Sequence, residues 1–223
     1  PVVVLGPPAR FVGRGGEKLD GVLRRFDVEV DGRRAFDIGA STGGFTDCLL
    51  QRGTTEVVAV DVGYGQLHER LRGDPRVVVR ERTNVRDLGP DDLGPAADVL
   101  VADLSFISLR TVLPVLLTLV RTDGDLVLLV KPQFEAGREE AARGRGVISD
   151  PAIWARVLEE VTSALEGAGA AIMDLMASPL TGADGNVEFL LHARARPSAP
   201  STVDRAALLD RALAEACSAG GAR

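Results

Sequence analysis

Short apolar runs alternate with amphipathic segments along most of this chain, and this alternation limits the possible folds more than any other feature. Two of the runs, 57–60 and 126–130, are apolar at every position, which is typical of strands covered on both faces. The segments between the runs place apolar residues at helical spacing, as Leu19, Val22 and Leu23 do. The sequence therefore predicts an α/β fold in which helices cover both faces of a mostly parallel sheet.

The end of the chain predicts a different connection. The last two predicted strands, 170–176 and 187–193, are separated only by a loop, so we expect them to pair antiparallel. A segment rich in proline and serine then precedes an alanine- and leucine-rich helix over 202–218. We expect one domain over residues 13–196 and, over 197–223, a linker and a helix packed on the edge of that domain.

The composition excludes several classes of protein. With 45% hydrophobic and 26% charged residues, the 223-residue chain resembles a soluble globular protein, and no run approaches the roughly 20 apolar residues that a bilayer requires. No basic and apolar leader precedes the first strand, so we expect a cytoplasmic protein without a membrane partner. The two cysteines and two histidines lack the spacing of a disulfide framework or a zinc site, so no metal is expected.

The net charge of −6 argues against a protein that binds nucleic acid over its whole surface. A local basic cleft is still compatible with this charge, because seven basic side chains lie between Arg10 and Arg34, diluted by five acidic ones. Both an RNA-facing patch and a solvated helix face fit this segment.

Glycine or polar residues follow the predicted strands, at the edge where open α/β sheets bind ligands. The first strand leads from Asp37 into the glycine-rich turn 39–44, where glycines allow backbone N–H groups to approach a ligand closely. Ser41 occupies the position of the second glycine of the dinucleotide fingerprint, so this turn does not match that motif.

Asp61 ends the second predicted strand about 20 positions after the turn, where a carboxylate can bind both ribose hydroxyls of an adenosine. A cap for the following loop is the alternative role for Asp61. Asp37 favours a cationic ligand, such as an ammonium group next to a sulfonium, over the pyrophosphate of NAD. We therefore expect S-adenosylmethionine as the cofactor, with Val62 against the adenine and Asn84 near its edge. The predicted cofactor residues are Asp37, Gly39, Ser41, Gly43, Gly44, Phe45, Asp61, Val62, Asn84 and Asp103.

Three further polar residues stand next to apolar strands. Asp103 follows one strand, Lys131 follows the most apolar strand, and Glu188 lies between apolar neighbours at the start of the last strand. A lysine in this position is costly to bury alone, so Asp103 and Glu188 are its expected partners. Plain structural salt bridges are the alternative interpretation of all three residues.

At these residues the chain resembles the TlyA family, bacterial ribosomal RNA 2′-O-methyltransferases that have also been called haemolysins. The resemblance runs from about Phe11 to Arg194 and rests on several long motifs. These motifs are residues 13–19, 39–46, 61–67, 81–84, 103–109 and 131–135.

The wider resemblance is to FtsJ-like methyltransferases, which use a Lys-Asp-Lys-Glu tetrad. Matched by motif, this chain supplies Lys18, Asp103, Lys131 and Glu188. The resemblance implies a Rossmann-like class I methyltransferase fold with seven strands, the last of them antiparallel. It also implies that Lys131 activates a ribose 2′-hydroxyl, while the other three residues orient the lysines and the substrate.

The family resemblance further implies cytidines of the 16S and 23S ribosomal RNA as substrate, and therefore ribosomal subunits as partners. Candidate phosphate contacts are Arg14, Arg138, Arg143 and Arg145, the last three in a loop that could equally have no role. Family members carry an N-terminal S4-like RNA-binding domain that has no counterpart here, so residues 1–12 are interpreted as the remnant of a linker. Residues 9–12 read Ala-Arg-Phe-Val where some actinobacterial relatives carry Arg-x-Trp-Val.

Two other kinds of protein compete with this interpretation. A membrane-active haemolysin is suggested by the family's older label, but the negative net charge differs from the basic polarity of interfacial helices. A module that binds RNA or cofactor without catalysis is the second rival, and the intact tetrad argues against it.

Overall fold

The computed structural model describes residues 9–199 and 202–220 and is built around one seven-stranded sheet. The strands are β1 (Arg34–Ile38), β2 (Glu56–Val60), β3 (Val77–Arg80), β4 (Ala97–Ala102), β5 (Val120–Val130), β6 (Ala170–Ala177) and β7 (Phe189–Ala195). Their order is β3-β2-β1-β4-β5-β7-β6, and β7 runs antiparallel to both of its neighbours while the other pairings are parallel. The predicted fold class is confirmed.

Helices cover both faces of the sheet. They are α1 (Arg14–Arg25), α2 (Gly44–Gln51), α3 (Glu69–Arg72), α4 (Leu109–Leu119), α5 (Pro132–Glu135), α6 (Arg138–Arg143), α7 (Pro151–Gly167) and α8 (Arg205–Gly220). The second half of β5 shows why residues 126–130 are all apolar: Leu126 and Leu128 face the core under α4 and α7, whereas Val127 and Leu129 face the core under α1 and α2. Both faces of this part of β5 are therefore buried, as expected for a strand in a doubly covered sheet.

Two element boundaries differ from the sequence prediction. The sequence of residues 107–120 predicts a helix over that whole segment, but α4 begins only at Leu109, because Ser108 acts as its N-cap and accepts a hydrogen bond from Arg110 N at 3.2 Å. It ends at Leu119, and Val120 pairs directly with β4, so β5 is longer than the predicted strand 126–130. The pairing between β4 and β5 is irregular there, which hides this part of the strand from a periodicity analysis.

Both ends of the described chain are attached to the domain. The C-terminal helix α8 packs on β6 and α7 through buried Ala212 and Ala216, close to the predicted helix 202–218. At the other end, Arg10 pairs with Asp20 at 2.5 Å and Val12 N donates to Asp47 at 2.9 Å. Residues 1–8 of the predicted linker remnant lie outside the described residues.

In the ranges that the structure describes, we find no helix with the length and apolar character needed to cross a bilayer.

Candidate active site

The strand order reverses between β1 and β4, and two cavities lie at the carboxyl edge of the sheet beside this point, where α/β folds bind ligands. The large cavity is about 490 Å³ and the small cavity about 220 Å³. They share Gly39, Ser41 and Asp103 in their walls. A ligand in the large cavity therefore reaches the wall of the small one.

The turn after β1 requires glycine at its first position. Gly39 has a φ of +88°, and a Cβ there would collide with the backbone carbonyl oxygen of Asp103. The turn after β1 thus rests directly on the end of β4. A second close approach joins α1 to α2, because a Cβ on Gly44 would lie 2.9 Å from Gly16 N. This contact brings the helix that carries Lys18 next to the glycine turn.

Asp61 connects two loops at the large cavity. Its carboxylate accepts hydrogen bonds from Ser41 N and from Gly63 N, each at 2.7 Å. It therefore caps the loop after β2 and also orders the glycine turn. The alternative role that the sequence suggested, a cap for the following loop, is thus one that Asp61 fulfils. Asp61, Val62 and Asn84 all line the large cavity, as predicted for residues near an adenosine.

Not all predicted cofactor residues reach a cavity. Gly39, Ser41, Asp61, Val62, Asn84 and Asp103 line the large cavity, and Gly44 and Phe45 line the small one. Asp37 and Gly43 line neither. Gly43 is the left-handed N-cap of α2, with Leu67 and Leu71 filling the space where its Cβ would be. Gly43 therefore shapes the turn, and a direct contact with the cofactor stays a prediction.

Asp37 lies beneath the glycine turn and is fully buried. One oxygen accepts hydrogen bonds from Thr46 N (2.9 Å) and Thr46 Oγ1 (2.6 Å), and the other has no hydrogen-bond partner among the described residues. Burial raises the pKa of the Asp37 carboxyl to about 7; the nearby Asp103 and Asp61 add to the increase, and the bonds from Thr46 oppose it. Asp37 therefore supports the turn from below, and a direct contact of its carboxylate with the cofactor stays a prediction.

This elevated pKa predicts a specific dependence of stability on pH. The unfolded chain releases the Asp37 proton near pH 4, whereas the folded protein keeps it until about pH 7. The Asp37 contribution to the free energy of unfolding is thus complete below about pH 4 and is lost as the pH rises through 7. Compared with Asp37→Asn, which cannot titrate, the wild type should lose up to about 1.4 kcal/mol per pH unit across this window. Urea unfolding of both proteins from pH 4 to 8 measures the difference, and parallel curves would contradict the prediction.

All four residues of the expected tetrad line the small cavity, although they come from α1 and from the ends of three strands. Lys131 Nζ lies 2.5 Å from an Asp103 carboxylate oxygen and donates to Ser105 Oγ at 3.0 Å. Lys18 forms an ion pair with Glu188, and both of these side chains are buried. Gly182 makes room for this pair, because a Cβ at that position would collide with the Glu188 carboxylate.

The two lysines of this cavity are the only lysines in the chain, whose other 24 basic residues are arginines. An arginine side chain stays protonated in proteins, whereas a lysine side chain can release its proton. Both lysine side-chain amines of the protein therefore lie in one cavity, where they can take part in proton transfer. That distribution favours a chemical role for the pair over two structural salt bridges.

Sequence reasoning missed several exposed residues around the large cavity. Phe106 is 91% exposed and holds a φ of +64°, and its ring lies 5.2 Å from the ring of Phe134. Tyr64 is also exposed, with the Arg82 guanidinium 4.2 Å above its ring. The only signal in the sequence was an aromatic residue within the polar segment 103–108. Exposed aromatic side chains next to a cavity are typical of interaction surfaces.

The predicted phosphate contacts occupy two places. Arg14 lines the small cavity and donates to Thr181 O at 2.6 Å. Arg138 and Arg143 are exposed on α6, and Arg145 follows in the next turn. The predicted loop thus contains a short helix, which begins just after α5 and so close to Lys131 in the chain.

The residues present fit the expected S-adenosylmethionine. The large cavity has the size of a small-molecule site, and its wall offers the Asp61 carboxylate for a ribose and the exposed Val62 for an apolar ring face. Because Gly39 has no Cβ, a ligand can approach the backbone of the glycine turn closely at this position. The Asp103 carboxylate lies on the wall of both cavities at this end of the site, which suits a sulfonium and an ammonium group.

Comparison with known proteins supports the same identification. Residues 11–195 match the family described as FtsJ-like methyltransferase. Over 192 residues the chain is 52% identical to the 16S/23S rRNA (cytidine-2′-O)-methyltransferase TlyA of Mycobacterium tuberculosis, an alignment that covers 86% of this chain and 71% of that protein.

Solved structures agree with the sequence comparison. The crystal structure described as "Putative hemolysin from Streptococcus thermophilus" matches with a TM-score of 0.91 and 40% identity, over 97% of this chain and 78% of that one. An S-adenosylmethionine-dependent methyltransferase from Mesorhizobium loti has the same fold, with a TM-score of 0.57 at 19% identity over 78% of this chain and 96% of that one. The fold, the cavities at its switch point and these matches lead to one conclusion: the chain belongs to the FtsJ-like methyltransferase family and uses S-adenosylmethionine.

Proposed function

We propose that this methyltransferase modifies the 2′-hydroxyl of cytidine in 16S and 23S ribosomal RNA, and that Lys18, Asp103, Lys131 and Glu188 form its catalytic tetrad. The observation that carries the proposal is the pairing of the only two lysines with two carboxylates on a small cavity that adjoins the cofactor cavity. The substrate class follows from the 52% identity to a protein named for that reaction.

Lys131 is the residue that activates the hydroxyl. When bound, S-adenosylmethionine supplies an electrophilic methyl group on a sulfonium. A ribose hydroxyl is a poor nucleophile, so its proton must leave as the bond from the 2′-oxygen to the methyl carbon forms and the carbon–sulfur bond breaks. Lys131 Nζ, at the wall between the two cavities with Asp103 and Ser105, takes that proton in its neutral form.

The other three tetrad residues hold the reacting groups in place. Asp103 lines both cavities and contacts Lys131, so it fixes the amine at the border between cofactor and substrate. Glu188 holds Lys18, whose ammonium group balances charge in a cavity largely shielded from water. The formal charges of two lysines and two carboxylates add up to zero, which lowers the free-energy cost of burying the four groups together. Alignment of this kind can supply about 7–11 kcal/mol of the barrier reduction in favourable cases.

The exposed residues next to the cavities would bind the RNA. Phe106 and the Tyr64–Arg82 pair offer aromatic and guanidinium surfaces on which unpaired bases stack. Arg14 at the small cavity and the arginines of α6 would contact phosphates. This arrangement favours an unpaired nucleotide whose ribose enters the small cavity while its base stays at the rim.

The strained backbone and the exposed ring of Phe106 give separate predictions, one for stability and one for activity. A positive φ at a non-glycine residue costs on the order of 1 kcal/mol, so the free energy of unfolding of Phe106→Gly should exceed that of Phe106→Ala by up to about that amount. Loss of a stacked base costs about 1–3 kcal/mol, so the KM for RNA should rise roughly 5- to 100-fold in the same variant. Phe106→Ala is the matched control, because it removes the ring and keeps the strained backbone. A Phe106→Gly protein that is less stable than Phe106→Ala, or that keeps the wild-type KM, would contradict the prediction.

Mapping of methylated nucleotides tests the proposed function as a whole. Ribosomal RNA from cells that lack the protein is incubated with the purified chain and labelled S-adenosylmethionine, and the modified positions are located by resistance to alkaline cleavage. We expect labelled 2′-O-methylcytidine. Label on a base instead of a ribose would overturn the reaction class. Leakage of liposomes without any RNA methylation would support the membrane-active alternative.

A further inference from the structure

Glu135 is a buried carboxylate that the proposed mechanism does not use. It ends α5, the short helix that begins directly after Lys131, and it is 3% exposed. One of its oxygens accepts a hydrogen bond from Leu109 N and the other from Ser108 Oγ, both at 2.6 Å. Both oxygens therefore hold the segment that follows β4, at the point where α4 begins.

This segment, residues 103–108, carries two groups that contact Lys131 and one that contacts α5. Asp103 and Ser105 contact its amine, and Phe106 packs its ring against Phe134 on α5. The segment forms neither a helix nor a strand, so no ladder of backbone hydrogen bonds fixes its position. It is held at its first residue, where Asp103 N donates to β1, and at its last residue by Glu135.

Arg110 completes the environment of this carboxylate. Its Nε lies 3.4 Å from a Glu135 oxygen, its Nη2 donates to the Glu135 backbone carbonyl at 2.9 Å, and its Nη1 pairs with Glu160 on α7 at 2.6 Å. A carboxylate next to a helix N-terminus and a guanidinium is electrostatically favourable. The negative charge of Glu135 is therefore compensated locally, without drawing on Lys131.

We infer that Glu135 is a positioning residue for methyl transfer: it holds segment 103–108 where Asp103 and Ser105 reach the Lys131 amine. The inference rests on the proposed function, because it assumes that this amine activates the substrate. Glutamine cannot replace glutamate here without loss, since its NH₂ group would face one of the two donors. Displacements of about 1 Å at a reacting centre can cost on the order of 100-fold in rate.

The test compares Glu135→Gln and Ser108→Ala with the wild type. We expect both variants to lower the single-turnover rate of methylation at saturating RNA by at least tenfold, because the amine contacts on segment 103–108 are displaced. Ser108→Thr keeps the hydroxyl and should retain most of the rate. Asp123→Asn is the matched control, because Asp123 accepts from Ser198 N and Ser198 Oγ in the same pattern at the opposite edge of the sheet. It should behave as the wild type.

A second readout does not depend on methyl transfer. Since the chain has only two lysines, a protein with ¹³C-labelled lysine gives two Cε signals, and a Lys18→Met variant assigns them. Glu135→Gln and Ser108→Ala should shift the Lys131 signal, whereas Asp123→Asn should not. If Glu135→Gln fails to fold, Ser108→Ala carries the test alone.

The outcomes distinguish a failure of the proposed function from a failure of the positioning role of Glu135. If the Lys131 signal shifts in Glu135→Gln and Ser108→Ala but the wild type methylates no ribose, the positioning contact is supported and the proposed function is overturned. Full methylation rates and an unchanged Lys131 signal in folded Glu135→Gln and Ser108→Ala proteins would overturn the positioning role and leave the proposed function intact.

Discussion

Lys131→Ala should lower the rate of RNA methylation by about 10²- to 10⁴-fold, the usual contribution of a positioned acid or base. The amine lies at the wall between the cavities and contacts Asp103 and Ser105, so its removal takes away the group that can accept the 2′-hydroxyl proton. The Kd for S-adenosylmethionine should change far less, because Asp61 and the glycine turn remain. Single-turnover methylation and isothermal titration calorimetry measure the two quantities on the same preparation.

Lys131→Arg distinguishes proton transfer from simple charge. Arginine keeps the positive charge at this position but does not lose its proton in proteins. If Lys131 acts as the proton acceptor, Lys131→Arg should be nearly as slow as Lys131→Ala. Arg121→Ala is a suitable control, since Arg121 pairs with Asp98 at the opposite edge of the sheet. Methylation by Lys131→Arg at the wild-type rate would show that charge alone suffices.

The fold could be predicted because its cause is local. Apolar residues at successive positions between turn signals, as in 126–130, are typical of a strand that is covered on both faces, and the structure splits them between two cores. The position of the site followed from the same logic, since polar residues at strand ends meet at one edge of a parallel sheet. The expected convergence of Asp61, Asp103 and Lys131 needed no knowledge of side-chain contacts.

Other features depend on contacts that are distant in sequence or on backbone angles. The partner of Lys18 lies 170 positions away: the sequence suggested Glu188 as a partner of Lys131, and only the family resemblance grouped it with Lys18, with which it pairs. The position of Asp37 below the turn could not be predicted, because it depends on Thr46 of the next helix, which donates two hydrogen bonds to its carboxylate. The left-handed backbone of Phe106, which leaves its ring exposed, has no signature in the sequence.

Lys18→Met is expected to lower the free energy of unfolding by about 3–5 kcal/mol, the cost of leaving a buried charge without its partner. Glu188, 3% exposed, would keep its carboxylate in a place where water cannot solvate it. Glu188→Gln should destabilise the protein for the converse reason, since Lys18 is also buried. Urea unfolding at pH 7 measures both variants against the wild type.

The double variant Lys18→Met/Glu188→Gln separates stability from catalysis. With both charges removed, no unpaired ion remains, so most of the lost stability should return and the coupling free energy of the cycle should be large. The rate of RNA methylation should stay low, because the Lys18 ammonium group is then missing from the wall of the small cavity, where we propose that the ribose binds. A double variant with restored stability and restored activity would reduce the Lys18–Glu188 pair to a structural salt bridge and limit the catalytic machinery to Lys131 and Asp103.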